Sequence, residues 1–114
     1  MTPGNVVLVR FPFADPDTTK KRPALVLART ARSPRNRLVT LAMLTSQIEA
    51  LRIDGDVELA NWQEAGLLHP SLLRMAKIAT VDEDLVEKSI GDLSKADRKA
   101  ARAAFQLLFA AWLR

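Results

Sequence analysis

Apolar and polar positions along the chain fall into two regimes. Up to residue 81 the apolar residues come in short runs of about four to eight, separated by polar turns, which is the grain of β-strands. Asn5–Phe11 (NVVLVRF) is β-branched and apolar until Pro12 stops it. Pro23–Ala28 (PALVLA) carries its proline at the first position, where a strand tolerates one. Leu38–Leu44 (LVTLAML) is a third run, and it ends on the polar trio Thr45-Ser46-Gln47. Asp56–Leu59 is a short fourth strand and Leu72–Val81 (LLRMAKIATV) a longer, partly alternating fifth. Residues 12–22 (PFADPDTTKKR) and 29–37 (RTARSPRNR) read as polar loops, and Asn61–Ala65 as a single helical turn.

After residue 81 the period changes. Asp82 is placed to cap a short helix whose acidic first residues suit its positive end. Ser94 caps a longer helix running to about Leu113, with Asp97 three residues on, a weaker relative of the Ser-x-x-Glu box. Leu93, Phe105, Leu107, Leu108, Phe109, Trp112 and Leu113 cover more than one face of it. Such a helix either packs on several sides, across a sheet and against a second subunit, or leaves an apolar patch exposed. Strands first and helices last predict an α+β fold, a small twisted sheet or barrel with a C-terminal helix. No helix separates the early strands, so a parallel sheet is disfavoured.

With 114 residues the chain is read as one domain, 1–114, and 48% apolar with 26% charged residues is ordinary globular composition. Cysteine is absent, which excludes disulfides, a thiolate nucleophile and thiolate-bound zinc. His69 is the one histidine, so His-pair chemistry is excluded as well. No apolar run approaches the ~18 residues of a membrane span and no signal-peptide pattern opens the chain, so the expectation is cytoplasmic, with no membrane partner. Charge changes the picture further. Residues 1–37 carry eight basic and two acidic side chains, residues 38–114 nine and eleven, giving +6 and −2 within a net +4. A basic half beside a slightly acidic one fits a localised anionic partner such as nucleic acid; solvated arginine loops are the ordinary alternative.

Three places invite chemistry. Arg22, flanked by Lys20, Lys21 and Pro23, precedes the second strand, and Thr45-Ser46-Gln47 ends the third. If those strands pair antiparallel, Arg22 lies beside Thr45. A guanidinium offers a planar fork to phosphate, and two hydroxyls and an amide offer donors and acceptors next to it. Such a group can stabilise the charge of a five-coordinate phosphorane, although a basic turn beside a polar strand end is also common. Asp54, Asp56 and Glu58 alternate onto one strand face, where carboxylates either converge on a cation or keep an edge solvated; the second is the ordinary case. His69-Pro70-Ser71 pairs a histidine with a hydroxyl, but no third orienting group is evident and it is not carried forward. Aromatics near the basic loop, Phe11 and Phe13, can stack on bases, as can Trp62 and Trp112, but core packing is the commoner role.

Gly4-Asn5-Val6-Val7-Leu8-Val9, Phe11-Pro12-Phe13, Lys21-Arg22-Pro23-Ala24-Leu25-Val26-Leu27 and Leu44-Thr45-Ser46-Gln47 together resemble the PemK/MazF family of toxins. Ala65-Gly66-Leu67-Leu68-His69-Pro70-Ser71, Lys77-Ile78-Ala79-Thr80 and Gly91-Asp92-Leu93-Ser94 continue the resemblance in order along the whole chain. It implies an SH3-like small β-barrel of about five to seven short, mostly antiparallel strands with a C-terminal helix. It implies a homodimeric toxin of a type II toxin–antitoxin module, held inactive by a cognate antitoxin. It also implies a sequence-specific endoribonuclease that cuts single-stranded RNA with no metal and no cofactor.

Carried onto this chain, the resemblance makes Arg22 and Thr45 the catalytic pair. The 2′-hydroxyl would attack the neighbouring phosphorus, leaving a 2′,3′-cyclic phosphate and a 5′-hydroxyl. Arg22 would stabilise the phosphorane, and Thr45 would hydrogen-bond the phosphate or help protonate the leaving oxygen. Arg10, Lys20 and Lys21 would add salt-sensitive attraction for RNA, with Ser46 and Gln47 as supporting partners. Asn5 departs from the Asp or Glu that many members carry there. Two other readings stay open: a non-catalytic CcdB-like inhibitor of DNA gyrase, and a degenerate member that binds antitoxin without cleaving.

Overall fold

The computed structural model describes residues 1–10 and 20–114. Its strands are β1 (Asn5–Arg10), β2 (Lys21–Ser33), β3 (Asn36–Thr45), β4 (Asp56–Glu58), β5 (Leu72–Asp82) and β6 (Val86–Asp92), followed by a helix, α1 (Lys95–Leu108). They form one six-stranded sheet in the order β4-β5-β3-β2-β1-β6, with every neighbouring pair antiparallel. The expected α+β architecture is therefore present. Among the described residues hydrogen bonding does not close the sheet into a barrel, because β4 and β6 remain separate edges.

Curvature replaces closure. Register shifts interrupt β1–β6, β2–β3 and β3–β5, and each bends the strand that carries the extra residue. The curled sheet has a core on both faces. On one, Val6, Leu25, Ala42, Leu44, Leu73 and Met75 pack under Leu93 and Ala101 of the helical end and against Leu59, Ala65 and Leu67. On the other, Val7, Val9, Ala24, Val26, Val39, Leu41 and Val81 form a second cluster closed by Leu85 and Val86. β1 is thus buried on both sides, which explains its unbroken Val-Val-Leu-Val run.

Strand ends differ from the sequence expectation in one direction. β2 and β3 run on through the arginine-rich segment read as a loop, reaching Ser33 and restarting at Asn36. Pairing from Arg29↔Val39 to Ser33↔Asn36 holds this exposed arm, and a bidentate contact from Arg29 to Glu83 at 2.8 and 2.9 Å braces its base. Asp82 caps a short 3₁₀ turn, Glu83–Leu85, as its sequence position implied. The strand that follows, β6, was not foreseen.

Ser94 caps α1 through a 3.1 Å bond from the Asp97 N–H. The helix ends at Leu108 rather than near Leu113, and Trp112 and Leu113 fold back in tight turns onto the Phe109 carbonyl. No glycine or proline marks that stop, and the unpaired last carbonyls tighten the final turns. No helix among the described residues is long and apolar enough to cross a membrane.

Candidate nucleic-acid site

Antiparallel pairing of β2 with β3 brings the start of one against the end of the other. The register Ala24↔Met43, continued by two residues, sets Arg22 opposite Thr45, and residues facing across a ladder share a side of the sheet. Val9 of β1 sits opposite Arg22 from the other side, and Leu72 of β5 opposite Thr45. Pro23 fixes the backbone after Arg22 and begins β2's buried stretch, so the guanidinium stays exposed where the strand leaves the core.

Both residues line a cleft of about 690 Å³ at this end of the sheet. Lys20, Lys21, Ser46 and Gln47 line it too, with His69, Ser71 and Lys88 contributing further walls. Its floor is Leu8, Leu44, Leu67 and Ile90. Among the described lining residues there are four cations and no carboxylate. Arg10 is not among them; it lies opposite Lys21 on β1. Lys21 is itself engaged, donating to Glu87 at 2.7 Å across an exposed pair. That hydrogen bond holds the Glu87 carboxyl below the ordinary glutamate range, with partial burial opposing it and the charges of Lys21, Arg10 and Lys88 adding to it. Phe11 and Phe13 fall outside the described residues.

Thr45 is oriented by its own trio. Its Oγ1 accepts the Gln47 backbone N–H at 3.2 Å, which leaves the hydroxyl proton free to donate into the cleft. The cleft therefore offers a charged planar fork and a hydroxyl donor among its lining residues, a combination that suits a phosphodiester oxygen.

The second wall was missed by sequence reasoning. His69, weighed in the sequence only as half of a nucleophile pair, and Lys88 reach the cleft from the segment before β5 and from β6. Gly66, at φ +78°, makes this wall possible, since a side chain there would collide with the Ile90 carbonyl of β6. His69 and Ser71 are not a nucleophile pair: the buried Ser71 hydroxyl donates to the His69 carbonyl at 2.8 Å. Asp54, Asp56 and Glu58 do not converge either. Asp56 accepts from Arg74 at 3.1 and 3.2 Å, and Glu58 from Arg52 at 3.2 Å. A second hollow of about 470 Å³ lies under α1, walled by Leu25, Leu27, Met75 and Phe105, with Arg98 tied to the Pro3 carbonyl at 3.1 Å.

The model of one protein family, described as the PemK-like, MazF-like toxin of type II toxin–antitoxin systems, matches residues 2–109. The chain belongs to that family. Solved structures agree on the fold of this PemK/MazF-family toxin. The Mycobacterium tuberculosis toxin MazF-mt6 is 22% identical with a TM-score of 0.70, over 93% of this chain and 96% of that one. An endoribonuclease in complex with its cognate antitoxin, from a mycobacterial species, gives 0.69 at 16% identity over 96% and 95%. A MazE–MazF complex from Deinococcus radiodurans gives 0.68 at 19% identity over 96% and 94%. No curated protein matches the chain in sequence. Family and fold together make this chain the toxin side of a type II module.

Proposed function

We propose that this toxin is a metal-independent endoribonuclease that cleaves single-stranded RNA to 2′,3′-cyclic phosphate and 5′-hydroxyl ends. The observation that carries the reading is that Arg22 and Thr45 line one cationic cleft, in a chain of PemK/MazF type. Arg22 receives the negative charge that builds on the non-bridging oxygens as phosphorus becomes five-coordinate. Thr45, its oxygen held by the Gln47 N–H, donates to one of those oxygens. Lys20, Lys21 and Lys88 attract the flanking phosphates, and Ser46 and Gln47 border the same cleft. DNA, lacking the 2′-hydroxyl, binds there uncut.

The partners follow from the surface. Leu107, Trp112 and Leu113 stand 81%, 86% and 67% exposed at the end of α1, an apolar patch that a homodimer covers. A cognate antitoxin neutralises the toxin by laying acidic residues across the cationic cleft. The setting is cytoplasmic, where mRNA is within reach.

The test is purified protein with mixed-sequence single-stranded RNA in excess EDTA, beside Arg22→Ala and Thr45→Ala. Discrete fragments with cyclic phosphate ends, lost in both variants, are expected. Intact RNA from a folded wild type sinks the reading and directs attention to gyrase inhibition and antitoxin binding.

A further inference from the structure

Cleavage by the 2′-hydroxyl needs a group to take its proton, and neither Arg22 nor Thr45 is built for that. Arginine and lysine bring donors and no acceptor, which removes Lys20, Lys21, Arg22 and Lys88. Hydroxyls and amides are too weakly basic, which removes Thr45, Ser46 and Gln47. The Ser71 hydroxyl is buried and already given to the His69 carbonyl. No carboxylate lies among the described lining residues. Glu87 at the edge is taken up by Lys21 at 2.7 Å, so among the described lining residues the proton acceptor that remains is the imidazole of His69.

We infer that His69 is the general base of the cleavage, taking the proton from the attacking O2′. The inference rests on the ribonuclease reading above and adds to it a residue that the Arg22–Thr45 pair does not supply. Its backbone is secured from three sides. Gly66 is wedged against Ile90 of β6, and the Leu67 N–H bonds the Trp62 carbonyl at 3.2 Å. Pro70 holds His69 to extended geometry, and Ser71 grips its carbonyl at 2.8 Å. One residue later β5 opens with Leu72 opposite Thr45, and His69 lines the same cleft as Arg22 and Thr45. The charged side chains among the described lining residues are Lys20, Lys21 and Arg22 from the β2 side and Lys88 from β6, with Glu87 paired to Lys21.

In the step, O2′ bonds to phosphorus as the P–O5′ bond breaks. The O2′ proton passes to the imidazole, and the electron pair released on O5′ takes a proton from water. The hydroxide so formed recovers the proton from the imidazolium, and the enzyme returns to its starting state.

The test is steady-state cleavage with RNA varied up to saturation across pH 4.5–9 for wild type, His69→Gln and His69→Ala, each checked for folding by urea denaturation. Wild type is expected to show an acid limb of unit slope in log kcat. His69→Gln should lower kcat by about 10²–10⁴, abolish that limb and leave KM within a few-fold. Added imidazole should restore His69→Ala saturably, a rescue that no structural role would produce. Unchanged kcat with the limb intact, a change confined to KM, or rescue of His69→Ala by a 5′-thio leaving group in place of imidazole would each overturn the assignment while leaving the ribonuclease reading standing. A folded wild type that cuts no RNA at any pH removes the ribonuclease reading and this one with it.

Discussion

Asp97, in the first turn of α1, is bound to Asn61: its Oδ2 accepts the Asn61 backbone N–H at 2.8 Å. The other carboxylate oxygen takes the Ala60 N–H, also at 2.8 Å, and the Ser94 hydroxyl donates to the Asn61 side chain at the same distance. At 3% exposure this carboxylate is a buried clasp between the helix and the turn that leads to the cleft wall. Asp97→Ala strands two N–H groups and should cost about 2–6 kcal/mol in urea denaturation, at roughly 1–3 kcal/mol per unsatisfied buried group. Asp97→Asn keeps one acceptor and should fall between.

Arg22→Lys keeps the charge and loses the fork. Cleavage should drop by about 10²–10³ with little change in RNA affinity, because the lost contact matters most where charge develops. Thr45→Ser retains the hydroxyl bonded to the Gln47 N–H and should keep most of the rate, whereas Thr45→Val should not. Single-turnover rates and anisotropy with a 2′-deoxy strand separate the two effects.

Asp56 sets an acid limit on stability. Burial pushes its carboxyl up, but hydrogen bonds from Arg74 and the Ile53 N–H, with the charges of Arg74 and Arg52, outweigh this and leave it below the ordinary range. A carboxyl depressed in the folded state contributes stability above its unfolded pKa, and the contribution is lost as pH falls through the folded one. Unfolding free energy should therefore decline as pH drops below about 4, the ordinary carboxylate value, and Asp56→Asn should flatten that decline. Urea titrations from pH 7 to pH 2.5 read it directly.

Trp112→Glu should convert the proposed dimer to monomer in light scattering while α1 stays folded, since Trp112 is 86% exposed and lies beyond the helix end. A monomeric wild type under the same conditions removes the homodimer from the proposal.

How much of this was legible in sequence varies by element. β1, β3 and β5 were legible because burial writes itself into apolar runs, and the Ser94 and Asp82 caps because their side chains bind the backbone locally. β6 was not, since VEKSIGD is mostly exposed and only its pairing with β1 makes it a strand. The outer half of the β2–β3 arm escaped notice for the same reason: RTARSPRNR has no apolar pattern, and cross-strand hydrogen bonds alone extend it. Arg22 and Thr45 could be placed from strand order, whereas His69 reached the cleft through a turn whose path depends on Gly66 and Asp97.

The arm beyond β1 carries a hazard and its remedy together. Among the described residues β1 pairs with β2 only as far as Leu25, with one more bond from the Gly4 N–H to the Val26 carbonyl, so from Ala28 to Ser33 no described strand pairs with that border of β2. Arg32 lies on this stretch of β2 and Arg35 at the turn after it, while Arg29 is held by Glu83, so two copies approaching edge to edge bring arginine towards arginine. Residues that enrich the chain in positive charge thus also oppose edge-to-edge pairing, and a polyanion that neutralised them would leave that border as a template for another strand.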